Sequence, residues 1–180
     1  ETTEIDFTIY KKTSPTLTFT SEEESKGKRI LKEIGIDSDK HWYICIFCRD
    51  SSYLDTKFPK GEWSYHNFRN ANIDTLILAS KYIVSIGGYV IRVGSTVERP
   101  LTYYNDKIID YSINSQSDFM DIYLLSHCKF VLGSPSGICD VASSFGIPQL
   151  GHNWAPFGAF GPPTKGSYII PKKVKNLNTG

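Results

Sequence analysis

The residues best suited to chemistry form the turn Gly133-Ser-Pro-Ser-Gly137, which follows a short apolar run and precedes an apolar pattern of helical spacing. Its glycines allow backbone N–H groups to face outward, and Ser136 offers a hydroxyl. The positive end of the following helix dipole would add to them, so this 133–137 turn could hold a phosphate group. It matches neither a Walker loop nor GxGxxG, and a plain strand-to-helix turn with a serine cap explains the residues equally well.

Two charged residues, Arg49 and Asp50, come directly after the apolar run of residues 41–48. An arginine at the end of a buried strand can donate paired hydrogen bonds to a diphosphate and stabilise it as a leaving group. Asp50 is then a candidate general base. The alternative is a surface arginine paired with Asp50, but the position at a strand end favours the functional interpretation.

The polar segment 65–69 contains His66, a further candidate general base. A solvated loop histidine without a catalytic role is the more common case, and we prefer that interpretation. Asp74 is another candidate base, although an acidic residue in the first turn of a helix more often offsets the helix dipole.

No metal site is expected. Cys45 and Cys48 have the spacing of half a zinc site, but residues three apart on a strand point to opposite faces, and no second CxxC or matching histidine pair follows. These two residues, Cys128 and Cys139 are expected to be buried free thiols in a reducing compartment. The DxD sequence that begins at Asp37 precedes the first strand, where a loop or capping role is expected.

The composition favours an ordinary globular domain. The chain has 180 residues, 40% of them hydrophobic, and a formal net charge of +1. Such a charge gives no strong field to attract nucleic acid or an acidic membrane, so neither is an expected partner. No signal peptide and no transmembrane run is apparent, and we expect a cytoplasmic protein, with the inner face of the membrane as an alternative location.

Apolar runs alternate with helical patterns along most of the chain. A capping box of Ser21 and Glu24 predicts a helix over 22–34, an apolar stripe predicts a second over 72–84, and Ser117 predicts the cap of a third that ends at Cys128. Strands are predicted over residues 41–48, 89–93, 107–111, 130–132 and 147–150. This alternation predicts an α/β fold: a Rossmann-like parallel sheet with helices on both faces.

In such sheets ligands bind at the carboxyl ends of the strands. The candidate binding residues lie at or after the ends of predicted strands: Arg92, Gly94, Asp118, Gly133, Ser134, Ser136 and Gly137.

Several motifs in order resemble a bacterial family of predicted surface-polysaccharide glycosyltransferases. They are residues 44–54 (ICIFCRDSSYL), 66–70 (HNFRN), 89–94 (YVIRVG) and 117–124 (SDFMDIYL), and the resemblance extends from about Phe19 to Lys173. Members of the family carry more sequence on both sides, so we expect this chain to be a fragment of a protein with a further N-terminal domain.

More distantly, residues 121–136 resemble the nucleotide-binding half of GDP-fucose-dependent fucosyltransferases, and residues 133–148 resemble heptosyltransferases and nucleotide-sugar epimerases. By position, this resemblance implies Asp121 near the nucleoside, Ser136 at the diphosphate and Arg49 on the β-phosphate. The chain departs from the fucosyltransferases at Gly137, where they have a second serine, and has one arginine where many have two. Together the resemblances imply the C-terminal half of a metal-independent GT-B glycosyltransferase.

The expected function is therefore transfer of a sugar from a nucleotide-diphosphate donor to a glycan or lipid-linked acceptor, with no separate cofactor. The alternatives are an isomerase of the nucleotide-sugar 2-epimerase kind and a non-catalytic half-domain for nucleotide binding or interaction. Residues 1–20 are expected to form a tether or an edge strand (7–10), residues 21–154 the nucleotide-sugar-binding domain, and residues 155–180 a segment that wraps it.

Overall fold

A six-stranded parallel sheet forms the centre of the protein, in a computed structural model that describes residue 15, residues 17–114, 116–156 and 164–173, and residue 175. The strand order is β3-β2-β1-β4-β5-β6. The strands are β1 (Tyr43–Phe47), β2 (Tyr89–Arg92), β3 (Ile108–Asp110), β4 (Val131–Gly133), β5 (Gln149–Trp154) and β6 (Tyr168–Pro171). From β1 the chain builds outward to β3 and then returns to the other side of β1, so the strand order reverses between β1 and β4.

Helices cover both faces of this sheet. They are α1 (Ser21–Glu33), α2 (Ser52–Lys57), α3 (Ile77–Ser85), α4 (Tyr111–Asn114), α5 (Asp118–His127) and α6 (Gly137–Ser144), with 3₁₀ helices at Ser64–Arg69 and Ile73–Leu76. The predicted α/β, Rossmann-like fold class is confirmed. Within the described ranges, no helix has the length and apolar character needed to cross a bilayer.

The alternation of side chains along β1 divides the core into two layers. Tyr43, Cys45 and Phe47 pack with α1, α5 and α6 on one face. Ile44 and Ile46 pack with the second 3₁₀ helix and α3 on the other. Because β1 is buried on both faces, its sequence is a continuous apolar run rather than an alternating one.

The first helix begins one residue earlier than the capping prediction placed it. Thr20, rather than Ser21, is the N-cap, and its box partner is Glu23. The sequence fits the box pattern in two adjacent registers, and Glu24 has another role: it accepts a hydrogen bond from the Tyr123 hydroxyl at 3.1 Å and lies 3.2 Å from His127 Nε2. The capping prediction for Ser117 is confirmed, since its side chain accepts from the Met120 amide.

Other boundaries also differ from the predictions. No helix was among the elements predicted within residues 51–70, but they contain α2 and a 3₁₀ helix. The stripe over 72–84 begins as 3₁₀ before continuing as α3, and the strand predicted over 107–111 ends at Asp110, where α4 takes over. The predicted edge strand over 7–10 lies outside the described residues.

The segment expected to wrap the domain contains a strand of the sheet. Residues 168–171 form β6, which pairs in parallel with β5 through Leu150–Tyr168 and Gly151–Ile169. The strand prediction over 147–150 stopped too early, because β5 continues through Gly151 and His152 to Trp154. Glycine, histidine and asparagine weaken the local strand signal there, and pairing with β6 compensates for it.

We expect Gly27→Ala to lower the free energy of unfolding. An alanine Cβ at this position of α1 would lie 2.3 Å from the ring of Tyr123, which is 1% exposed and packed among Phe19, Phe119 and His127. Helix propensity alone would favour alanine by about 1 kcal/mol, but overpacking costs about 1–3 kcal/mol. Urea denaturation of the variant measures the difference.

Ser25→Ala is the matched control for this substitution. Ser25 is exposed on the same helix, and its hydroxyl donates only to the Ser21 carbonyl oxygen at 2.8 Å. We expect the control to change stability by less than about 0.5 kcal/mol. A Gly27→Ala protein as stable as the wild type would show that the Tyr123 ring moves to accommodate the added methyl group, and would contradict this prediction.

Candidate functional site

The carboxyl ends of β1 and β4 meet where the strand order reverses. Phe47 and Gly133 are register partners on the two strands. Just beyond them, the Arg49 backbone amide donates to the Ser134 hydroxyl oxygen at 2.7 Å, and Ser134 is fully buried. Ligands of open α/β sheets bind at such switch points. The candidate site is therefore built around this junction, and Ser134 contributes to it by joining the two strand ends.

The 133–137 turn lies at the junction and leads into α6. A Cβ at Gly133 would lie 2.3 Å from the Phe47 ring, so packing requires a glycine there. Ser136 caps α6 by accepting a hydrogen bond from the Ile138 amide at 3.2 Å. Gly137 is exposed, and a Cβ on it would meet no atom within 4 Å. The positive end of α6 therefore faces open space at the carboxyl edge of the sheet.

Arg49 connects the junction to the 3₁₀ helix Ser64–Arg69. Its Nη1 donates to the His66 carbonyl oxygen at 3.3 Å and to Asn70 Oδ1, while its own carbonyl oxygen accepts from the Ala71 amide at 2.9 Å. Within the described residues it forms no ion pair, so the predicted alternative of an Arg49–Asp50 pair is not what the structure shows. Partial burial and the neighbouring charge of Arg69 lower the pKa of Arg49.

The ends of β5 and β6 hold the same 3₁₀ helix in place. Asn153 Nδ2 donates to the carbonyl oxygens of Arg69 and Asn70 at 3.1 and 3.3 Å. Asn153 itself has a φ of 52°, a left-handed conformation that asparagine tolerates better than most residues. Lys172, just after β6, donates from Nζ to the Phe68 carbonyl oxygen. The 3₁₀ helix is thus fixed to three strand ends.

The two ring nitrogens of His66 have different hydrogen-bonding roles: Nδ1 accepts, and Nε2 is left as a donor. Arg69 Nη2 lies 2.8 Å from His66 Nδ1, and because a guanidinium can only donate, Nδ1 must be unprotonated. In the neutral ring the proton is then on Nε2. Burial, Arg69 and Arg49 all lower the pKa of His66. A general base acting through Nε2 would need the opposite tautomer, so this geometry does not support the predicted catalytic role.

Asp50, the other predicted base, is engaged by the backbone. One carboxylate oxygen accepts from the Ser52 amide at 3.0 Å, at the start of α2. The other accepts from the Glu98 amide at 3.1 Å. Asp50 thereby fixes two loops at the rim of a cleft of about 470 Å³, whose lining also includes Cys48, Asn72, Arg92 and Arg99.

The arginines of this cleft are already paired. Arg92, 3% exposed, forms an ion pair of 3.1 Å with Asp110, its register partner on β3, and donates to the Arg99 carbonyl oxygen at 2.6 Å. Arg99 in turn pairs with Asp74 at 2.8 Å. Arg92 therefore stabilises the β2–β3 edge, and Asp74, in the first turn of the second 3₁₀ helix, is held in an ion pair with Arg99.

The remaining predicted binding residues lie at two other points of the carboxyl edge. Gly94 follows β2 with a φ of +137°, a conformation that suits glycine. Asp118 is exposed in the first turn of α5. Asp121 accepts from Gln116 Nε2 at 2.8 Å through Oδ2, but its Oδ1 is buried with no hydrogen-bond partner in the described part of the chain. Burial raises the pKa of Asp121.

The surroundings of the four cysteines indicate structural roles. All four are free; Cys45, Cys128 and Cys139 are buried, and Cys48 is half-buried. Cys48 Sγ lies 3.4 Å from His152 Nε2, and burial raises the pKa of Cys48 to about 12, so that it is a thiol at neutral pH.

Three residues at the junction were not among the predicted site residues: Arg69, Asn70 and Asn153. Arg69 stood in the polar segment from which only His66 was selected. Asn153 lies at the carboxyl end of β5, the position where ligand-binding residues of parallel sheets concentrate. That signal would have identified it had the end of β5 been placed correctly.

The chain is similar to the solved structure of E. coli ADP-heptose lps heptosyltransferase II, with a TM-score of 0.57 and 15% identity over 87% of this chain and 45% of that one. The dodecameric iron-containing heptosyltransferase TibC in complex with ADP-D-beta-D-heptose is 17% identical over 62% of this chain and 27% of its own, with a TM-score of 0.37. No protein-family model and no curated protein matches the sequence.

The first likeness shows the fold: this chain has the Rossmann-like α/β architecture found in GT-B glycosyltransferases. It spans about 45% of the length of the heptosyltransferase that it matches. At 15% identity the likeness identifies neither donor nor acceptor.

We expect Ser134→Ala to destabilise the protein by about 1–3 kcal/mol, because the Arg49 amide would be left without its acceptor at the junction. Thermal or urea unfolding measures the loss. Ser144→Ala is the control: Ser144 is exposed in α6, and its hydroxyl donates to the Asp140 carbonyl oxygen at 2.9 Å. Equal stability of Ser134→Ala and wild type would contradict the structural role of this bond.

We expect His66 to titrate below the ordinary histidine pKa of about 6.5, with its proton on Nε2 in the neutral form. Long-range ¹H–¹⁵N correlation NMR reports both the tautomer and the pKa. Arg69→Gln should raise the pKa of His66, because one of the positive charges that disfavour the imidazolium is removed. A neutral ring protonated on Nδ1 would contradict the Arg69 contact.

Proposed function

We propose that this chain is the donor-binding domain of a glycosyltransferase and that it holds the diphosphate of a nucleotide sugar at the junction of β1 and β4. The observation that carries the proposal is the placement of Arg49. Its cationic side chain lies at the switch point, without an ion pair among the described residues, while the positive end of α6 opens onto the same edge. The fold shared with a heptosyltransferase supports it.

In this proposal the site acts on the leaving group. As the sugar departs, negative charge develops on the nucleoside diphosphate. A preorganised guanidinium and a helix N-terminus stabilise that charge without reorganising. Ser136 caps the helix and belongs to the same edge, so the diphosphate would meet this residue and the exposed backbone of Gly137. The proposed mechanism uses these groups in place of a metal ion.

The nucleoside is proposed to lie toward the start of α5. Asp121 Oδ1 is a buried acceptor without a partner in the described residues, which suits a hydroxyl or amino group of the nucleoside. The name of the matched E. coli structure includes ADP-heptose, so ADP belongs among the nucleotides to be tested.

The acceptor is proposed to be a glycan or a lipid-linked saccharide, reached from the cytoplasm or at the inner face of the membrane, as in surface-polysaccharide assembly. Its activating base is the part of the chemistry that the described residues supply least well. His66 is a donor and Asp50 is occupied by backbone amides. We therefore propose that the base comes from another part of the full protein, since this chain spans 45% of the matched structure.

The epimerase alternative makes a different demand. Such a reaction places carboxylates beside a histidine around the sugar. Here the charged side chain in contact with the His66 ring is that of Arg69, and Arg49 donates to the His66 backbone. Two cations around this histidine favour diphosphate binding over proton abstraction from the sugar.

Isothermal titration calorimetry against UDP, GDP, ADP and CMP tests the proposed function. We expect one of the nucleoside diphosphates to bind and its nucleoside to bind far more weakly. A folded protein that binds none of the four would overturn the proposal.

Arg49→Ala should weaken binding of the nucleoside diphosphate by about 1.5–3 kcal/mol, the cost of a lost charge-assisted contact, and leave nucleoside binding nearly unchanged. Asn70→Ala is the matched control, because it removes the acceptor that holds the Arg49 side chain but keeps the charge. We expect the control to lose much less affinity. An equal loss for diphosphate and nucleoside in Arg49→Ala would remove Arg49 from the phosphate site.

A further inference from the structure

Arg69 is the arginine of the site whose hydrogen-bonding capacity is least used. Its Nη2 donates to His66 Nδ1, but its Nε is buried and has no acceptor in the described residues. A buried N–H without a partner costs free energy in the folded protein. Ligands commonly bind at the carboxyl edge of a parallel sheet. An unpartnered N–H at this edge therefore suggests that a ligand supplies its acceptor.

The other arginines of the carboxyl edge are neutralised. Arg92 is paired with Asp110, and Arg99 with Asp74. Within the described ranges Arg69, like Arg49, has no ion pair. Asp50, the acid next to Arg49 in sequence, has both carboxylate oxygens on backbone amides. The chain thus leaves two cations unpaired at one place while it pairs those beside it.

Arg49 and Arg69 border the same residue from two sides. Arg49 donates to the backbone oxygen of His66, and Arg69 donates to its ring. They are close enough for the charge of Arg69 to lower the pKa of Arg49. Like charges brought together at a partly buried site repel each other, and an anion placed between them would remove that repulsion.

The backbone that carries Arg69 is fixed. Asn153 donates to the Arg69 carbonyl oxygen from the end of β5, and Lys172 donates to Phe68 from the end of β6. Arg49 holds the same 3₁₀ helix from the end of β1. The backbone of the 3₁₀ helix that carries Arg69 is therefore held by the strand ends, next to Arg49, and such fixed positions are the preorganisation that an anion site needs.

We propose that Arg69 is the second cationic ligand of the diphosphate and that His66 is a positioning residue, which accepts from Arg69 and so directs its guanidinium toward the ligand. This inference rests on the proposed function. It replaces the single-arginine site expected from the sequence with a two-arginine clamp, and it gives His66 a role that needs no change of protonation. Two cations held side by side suit a ligand whose negative charge is spread over two phosphoryl groups, so pyrophosphate should be preferred over orthophosphate, which has one.

The test compares Arg69→Gln, Arg69→Lys and Arg49→Ala with wild type, using inorganic pyrophosphate, orthophosphate and the nucleoside diphosphate that wild type binds. We expect Arg69→Gln to raise the Kd for pyrophosphate roughly 10- to 100-fold and to narrow its preference over orthophosphate. Arg69→Lys keeps the charge without the planar fork and should be intermediate. Arg29→Gln, an exposed residue of α1, is the control for net charge and should bind as wild type does.

Stability separates a ligand role from a structural one. Arg69→Gln removes an unpaired buried N–H and a like-charge repulsion, so the melting temperature without ligand should stay the same or rise, while the increase produced by pyrophosphate should shrink. A marked fall in the ligand-free melting temperature would indicate a structural arginine and count against the proposal. Arg69→Lys then provides a second test. A stable Arg69→Lys protein with wild-type affinity for pyrophosphate would also contradict the proposal that Arg69 binds the diphosphate.

The role of His66 is tested by rescue. His66→Asn keeps an acceptor near the position of Nδ1, whereas His66→Phe does not. We expect His66→Phe to lose affinity for pyrophosphate and His66→Asn to retain most of it. Equal affinities in the two variants would overturn the positioning role.

The outcomes distinguish the inference from its premise. If wild type binds neither pyrophosphate nor any nucleoside diphosphate, the proposed function fails and the inference fails with it. If Arg49→Ala loses affinity and Arg69→Gln does not, the proposed function stands and the two-arginine clamp is wrong.

Discussion

The hydrogen bond from the Arg49 amide to the buried Ser134 hydroxyl joins the two strands at which the sheet reverses its order. It sets the distance between the end of β1 and the start of α6. Because Arg49 also holds the 3₁₀ helix Ser64–Arg69 with its side chain, the same bond indirectly places His66 and Arg69. A change at Ser134 would therefore reach groups that Ser134 never touches.

The fold could be predicted because its signals are local and repeated. Each buried strand is a short apolar run, and α5 and α6 begin at the serines that cap them. Predictions failed where local rules allow two answers or where distant residues decide. The pattern for a capping box fits both Thr20 and Ser21, and only the contacts of Glu24 with α5 select the first. The end of β5 and all of β6 depend on pairing between strands.

The sequence indicated where the candidate site residues lie along the chain, but not which partners they have in the fold. The rule that ligands bind at the carboxyl ends of parallel strands selected Arg49 and the 133–137 turn from the order of elements alone. It could not show that Ser134 joins strands, that Arg92 is neutralised across β2 and β3, or that Asp50 binds backbone amides. Residue type indicates which hydrogen bonds and ion pairs a side chain can form. Its neighbours in the fold determine which of these remain available to a ligand.

The arginines at the carboxyl edge differ in whether they form ion pairs, and this difference bears on which chemistry the site supports. A chain that needed only stability at this edge would pair every cation, as it pairs Arg92 and Arg99. Instead it brings Arg49 and Arg69 to one histidine, whose lowered pKa makes it a weak base and whose unprotonated Nδ1 accepts a hydrogen bond from Arg69. Unpaired positive charge is useful where negative charge will develop. This distribution of ion pairs supports the proposal that the domain stabilises a departing diphosphate and leaves the deprotonation of an acceptor to other residues.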